Sequence, residues 1–156
     1  MIRPENSHFD LPAAFISLSG EETFALGKRL SPMLGKGDVV ALSGPLGAGK
    51  TCFAKGIAGG LGIGDEITSP SYAIVSEYEC LIGSEKIPVY HIDAYRLEGN
   101  DDFSAIGGEE IVFGNGISIV EWSDRIPDFI PPEAYRVDID MIEDNKRSVK
   151  IARQGR

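Results

Sequence analysis

The chain has 156 residues, 42% of them hydrophobic, and a formal net charge of −9. That is enough for one domain whose core needs neither disulfides nor a structural metal. The acidity argues against a free-standing nucleic-acid binder, which carries a basic face, and so against DNA as a partner; contact with RNA through another protein stays open. Two isolated cysteines, Cys52 and Cys80, form neither a CxxC pair nor a disulfide framework. Met1–Ser7 lacks the apolar core of a signal peptide, and no apolar run reaches the length of a membrane span. The expected address is cytoplasmic and reducing.

Residues 1–13 read as a loose lead-in, and Ala14–Leu18 as a first strand. Ser19 and Glu22 stand at capping-box spacing, so a helix starts at Ser19. Phe24, Leu26, Leu30 and Met33 give it an apolar stripe that ends near Gly35. Asp38–Ser43 is a short apolar run suited to a buried strand. It leads into Gly44-Pro45-Leu46-Gly47-Ala48-Gly49-Lys50-Thr51, which reads G-x-x-x-x-G-K-[ST], the phosphate-cradling loop of nucleotide-binding α/β proteins. Glycines in such a loop let backbone N–H groups approach phosphate oxygens. Lys50 reaches the β- and γ-phosphates, and the Thr51 hydroxyl is placed to hold magnesium. The loop should open a helix, whose N-terminus favours negative charge, with Gly59-Gly60 as its stop. Cys52, in that helix, reads as a small packing residue rather than a nucleophile.

After a turn-rich connector at 61–66, Thr68 and Ser69 sit in a polar loop that either closes over the γ-phosphate or forms an ordinary Ser-Pro turn. Residues 73–79 and 86–93, joined across Gly83-Ser84, read as a hairpin. Residues 101–112 read as a helix broken at Gly107-Gly108, and 117–122 as a buried strand. Pro127, Pro131 and Pro132 mark a loop, and 135–142 pairs with 148–152 in a closing hairpin. Lys146, Arg147, Lys150, Arg153 and Arg156 read as guards of a solvated edge strand and a frayed tail at 153–156. The whole is one mixed α/β domain over 1–156, a largely buried sheet with antiparallel hairpins added.

A phosphate-loop enzyme needs carboxylates near magnesium at the end of another strand. Asp93 ends one apolar run and Glu121 another, and the division of roles between them, metal ligand or base, stays open. His91 reads as a packed, hydrogen-bonded histidine rather than a catalytic one. No N-K-x-D guanine motif is present, since Asn145-Lys146-Arg147-Ser148 lacks the aspartate. Only Arg96 and Arg125 fall mid-chain, which is thin for the arginine-rich lid of a small-molecule kinase, and no arginine stands close to the loop in sequence.

Taken together, the loop at 44–51, Thr68-Ser69-Pro70-Ser71-Tyr72, Tyr90-His91-Ile92-Asp93-Ala94-Tyr95-Arg96-Leu97 and Val120-Glu121-Trp122 resemble the TsaE (YjeE) family in order and spacing, from about residue 15 to 130. Pro45, Cys52, Ser71 and Ser123-Asp124 depart from that pattern, and none of these changes removes a group assigned to chemistry. The resemblance implies a three-layer domain of the P-loop NTPase kind, with a mixed, mainly parallel sheet and added hairpins. It implies magnesium-dependent ATP hydrolysis, weak alone and stimulated by a TsaB–TsaD complex. That hydrolysis would sustain formation of N6-threonylcarbamoyladenosine at position 37 of tRNA, with tRNA met through the partners and no membrane involved. It maps ATP or ADP onto Gly44, Pro45, Leu46, Gly47, Ala48, Gly49, Lys50, Thr51 and Cys52, with Thr68 and Trp122 beside them. Magnesium maps onto Thr51, Glu121 and Asp93, and catalysis onto Asp93, Glu121 and Lys50. A small-molecule kinase and a nucleotide-gated scaffold are the rival classes.

Overall fold

The computed structural model describes residues 9–63 and 74–154. Among them, seven strands form one mixed sheet: β1 (Ala13–Ser17), β2 (Val39–Ser43), β3 (Val75–Ile82), β4 (Glu85–Asp93), β5 (Ile117–Glu121), β6 (Tyr135–Glu143) and β7 (Lys146–Arg153). The order is β1-β7-β6-β2-β5-β4-β3. The middle, β6-β2-β5-β4, is parallel, and antiparallel pairs add β3 on one side and β7 and β1 on the other. Helices α1 (Gly20–Leu30) and α2 (Lys50–Gly60) cover one face, and the short α3 (Asn100–Ala105) and α4 (Gly108–Val112) the other.

The reason for three layers lies in β2 and β5, whose near-continuous apolar residues are buried on both sides, as parallel strands must be. Successive residues of β2 divide between two cores. Val40 and Leu42 join Leu30, Phe53, Ile57 and Ile119 beneath α1 and α2. Val39 and Ala41 join Phe103, Val112, Val120 and Phe129 beneath α3 and α4. This is the mixed α/β architecture the sequence predicts, including the helix broken at Gly107. Ser19 caps α1 as its spacing requires: its Oγ accepts the Glu22 N–H at 3.1 Å, while Glu22 Oε1 accepts the Leu18 N–H at 2.7 Å. No helix among the described residues is long and apolar enough to cross a membrane.

Three expectations are refined. Gly59-Gly60 lie within α2 as its last two residues, the helix ending at Gly60 as expected, rather than forming a separate stop beyond it. The glycines also serve helix contact. A Cβ at Gly27 would strike the Phe53 carbonyl, one at Gly56 the Phe24 carbonyl, and one at Gly60 the Ser31 side chain, so the backbones of α1 and α2 touch. Gly56→Ala is expected to cost about 1–3 kcal/mol through overpacking, lowering the melting temperature by about 2–4 °C per kcal/mol. Gly35→Ala, where nothing lies within 4 Å of the added Cβ, is the control; equal melting of the two variants would contradict the contact.

Second, the basic strand β7 is not an edge: it lies between β6 and β1, so β1 is the outer strand on that side. Arg153 is accordingly tied in, to Asp38 at 3.1 Å and to the Glu133 carbonyl at 2.8 Å. Third, Phe9, within the expected lead-in, is packed into the core. Its ring is 7% exposed and meets Phe15 at 5.3 Å, under the Arg29 guanidinium at 4.7 Å.

Candidate functional site

Because β2, β4 and β5 are parallel neighbours, their carboxyl ends open on one edge of the sheet, where open α/β sheets bind ligands. The register sets Leu42 and Asp93 on either side of Glu121. The glycine-rich loop leaving β2 therefore meets both acids singled out from the sequence.

The need for glycine is plainest at two loop positions. Gly44, at φ +142°, lies so close to the Ile139 carbonyl that a Cβ would collide with it. Gly49, at φ +112°, is the left-handed N-cap from which the chain turns straight into α2. Pro45, Leu46 and Gly47 are exposed, while Ala48 is buried and its N–H donates to the Pro45 carbonyl at 3.1 Å. Lys50, the first residue of α2, is 5% exposed. Its ammonium donates to the carbonyls of Gly44 at 2.6 Å and Pro45 at 2.8 Å, and lies 4.1 Å from the centre of the Trp122 ring. Burial lowers its pKa, and the Glu121, Asp93 and Asp124 carboxylates oppose that shift.

One helical residue on, the Thr51 hydroxyl donates across both Glu121 oxygens, at 2.9 and 3.1 Å. Glu121 is 3% exposed, and its Oε2 also meets Nε2 of the fully buried His91 at 2.6 Å. Asp93 lines the same cleft half-buried, and its Oδ1 accepts the Tyr95 N–H at 3.0 Å. Hard oxygens from a hydroxyl and a carboxylate suit magnesium, which takes one or two protein oxygens and fills its shell with water and phosphate. No cage of three or more His, Cys, Asp or Glu is present among the described residues, and magnesium needs none.

Trp122 departs from strand alternation, which would send its ring to the far face from Glu121. The strand ends at Glu121, and Trp122 takes a left-handed backbone, φ 58°, costly for a bulky residue. The turn brings the indole back over the cleft, against Tyr95 at 4.9 Å. The cleft measures about 290 Å³, and Lys50 is the only cationic side chain among the described residues that line it. Thr68 lies outside the described residues, as does Ser69.

A second cavity, about 240 Å³, adjoins the first and shares Gly49 and Cys52 with it. Its other walls are the start of α1, with Ser19 and Thr23, and the β6–β7 turn, with Asn145 and Arg147. Here the reading of Arg147 as an edge guard far from the loop is corrected. Its Nε donates to the Ala48 carbonyl at 3.0 Å, a contact between residues 99 apart. Only the register of β6 and β7 brings it there, and no local sequence signal carries that. His91 had a signal: two residues before Asp93, it shares a strand face with it. Of the mid-chain arginines, Arg96 is exposed, and Arg125 donates to the Leu97 carbonyl at 3.3 Å with its guanidinium 5.3 Å from the Tyr95 ring.

The Cys52 Sγ donates to the Gly20 carbonyl at 3.1 Å, and burial pushes the thiol pKa up. With less thiolate than a free cysteine, it is expected to alkylate more slowly at about pH 8. Alkylation as fast as that of a free thiol would contradict this placement.

The family model described as "Threonylcarbamoyl adenosine biosynthesis protein TsaE" matches residues 17–150. The chain belongs to the TsaE family. It is 37% identical over 137 residues to the tRNA threonylcarbamoyladenosine biosynthesis protein TsaE of Treponema pallidum, covering 88% of this chain and 98% of that protein. It is 37% identical to the Bacillus subtilis TsaE over 139 residues, 89% of this chain and 84% of that one. The crystal structure of Bacillus subtilis YdiB superposes with a TM-score of 0.74 at 33% identity, covering 95% of this chain and 89% of that one. Membership of the TsaE family places the chain in the biosynthesis of threonylcarbamoyladenosine in tRNA.

Proposed function

We propose that this chain binds ATP and magnesium in the cleft at the ends of β2, β4 and β5 and hydrolyses ATP in the cytoplasm as a partner of a TsaB–TsaD complex. The observation that carries the reading is the convergence of Lys50, Thr51, Glu121 and Trp122 on one cleft at the start of α2. Phosphates would lie over residues 44–50, against backbone N–H groups, the α2 N-terminus and the Lys50 ammonium. The ribose and base would follow into the adjoining cavity beside Cys52, between Ser19 and Arg147.

Magnesium, held by Thr51 and Glu121 with Asp93 nearby, would neutralise charge on the β- and γ-phosphates. Lys50 would leave the Gly44 and Pro45 carbonyls to meet the phosphates. Among the described residues lining the cleft, Asp93 and Glu121 are the carboxylates that would orient water at the γ-phosphate. With Lys50 the only cation lining the cleft among the described residues, that lining supplies the transition state with no arginine, a group contributing about 10³–10⁵ in rate. Hydrolysis is therefore slow in isolation, and TsaB–TsaD would speed it. The acidic surface, net −9, suits meeting tRNA through those partners.

Phosphate release from Mg·ATP, with and without purified TsaB–TsaD, tests the reading. The expected result is a low basal rate that rises on adding the pair. ATP consumption without free phosphate would mean a kinase, and binding without turnover a scaffold; either would overturn it.

A further inference from the structure

His91 is fully buried on β4, opposite Ile119 of β5 in the register that sets Asp93 opposite Glu121. Its apolar ring atoms account for burial beside Val89 and Ile119. They do not account for a polar edge aimed at an acid. Nε2 meets Glu121 Oε2 at 2.6 Å, while Nδ1 is buried with no hydrogen-bond partner among the described residues. Those partners assign the tautomer. A proton on Nδ1 would orphan a buried donor and turn the Nε2 lone pair against a carboxylate oxygen. A proton on Nε2 donates to Glu121 and leaves only an acceptor bare, the commoner defect in folded proteins.

We infer that His91 is a positioning residue, fixing the Glu121 carboxylate for the metal. The terminal torsion of glutamate is broad and selects no orientation by itself. Here Oε2 is pinned from within the core by His91 and also met by the Thr51 hydroxyl at 3.1 Å, whereas Oε1, at 2.9 Å from that hydroxyl, has no other partner among the described residues. A cation taking the Thr51 oxygen would leave Oε1 without its partner, and His91 would keep the carboxylate from rotating away. A buried, charge-assisted bond of this kind is stronger than an exposed one. Outer partners of metal ligands act in this way: they hold the ligand's orientation without touching the ion. The inference rests on the reading of Thr51 and Glu121 as the metal-holding pair.

The test uses His91→Gln and His91→Asn in the full chain. The glutamine amide nitrogen falls near the place of Nε2 and still donates to Glu121. The asparagine amide stops near Nδ1 and cannot. Both lose the ring, so general loosening affects both alike. Manganese binding in the presence of ADP is followed by electron paramagnetic resonance, and ADP binding without metal by calorimetry. His91→Gln is expected to bind manganese within about threefold of the unsubstituted protein, and His91→Asn roughly 10–100-fold more weakly, with metal-free ADP affinity unchanged in both. Should His91→Asn fail to fold, His91→Leu, which fills much of the space and removes both nitrogens, carries the same expectation. Equal manganese affinity in the donor and non-donor variants overturns the inference alone. Absence of manganese binding to the unsubstituted protein overturns the metal reading itself.

Discussion

Lys50→Ala is expected to weaken ATP and ADP binding by about 100-fold or more, while the folded state survives. The ammonium makes two carbonyl hydrogen bonds, at 2.6 and 2.8 Å, in the cleft a phosphate chain would enter. Exchanging those carbonyls for phosphate oxygens replaces neutral acceptors by anionic ones. Hydrogen bonds to charged groups contribute roughly 1.5–3 kcal/mol each, and about 2.7 kcal/mol is a factor of 100 in affinity. Without the lysine, Glu121 and Asp93 would face incoming phosphates with no cationic side chain among the described residues that line the cleft. Lys50→Arg is expected to do little better, since a planar fork does not replace a compact ammonium between two loop carbonyls. Calorimetric titration of each variant with ADP measures the loss. Affinity within threefold of the unsubstituted protein, with unchanged melting, would remove Lys50 from the site.

Glu121→Gln is expected to hold ATP and lose turnover, by roughly 10²–10⁴-fold if the carboxylate activates water. The substitution keeps the length that reaches Thr51 and His91 and deletes one negative charge beside the phosphates. Metal-free nucleotide affinity therefore stays the same or rises, while manganese affinity falls. Phosphate release stimulated by TsaB–TsaD, measured beside ATP binding, separates the two effects. Unchanged release would assign the chemistry to Asp93 or to a partner.

The parts of this site legible in the sequence were those with local signatures. The loop motif fixes four residue types within eight consecutive positions, 44–51, because phosphate contact, the turn and the helix start are all local. Asp93 and Glu121 were legible as acids at the ends of apolar runs, and the parallel register of β4 and β5 then sets them side by side. What the sequence did not reveal depends on distant parts of the chain. Arg147 reaches the loop only because β7 inserts between β6 and β1, and that insertion turns an expected edge into interior sheet. Gly59-Gly60 reads as a stop by propensity, and α2 does end at Gly60, but the close approach of Gly60 to Ser31 depends on the packing of distant residues. The Trp122 ring faces the cleft because one left-handed residue reverses the alternation a strand would impose.

Trp122 also offers the most direct test of the central claim, that nucleotide enters this cleft. It is the only tryptophan in the chain, and its ring lies 4.1 Å from the Lys50 ammonium. When phosphates draw Lys50 away, the indole loses a stacked charge, so its emission must respond. Titration with Mg·ADP is expected to change Trp122 fluorescence in a saturable curve that matches calorimetry and is absent in Lys50→Ala at the same concentrations. A flat signal at concentrations that saturate calorimetric binding would place the nucleotide elsewhere on the protein and contradict the account.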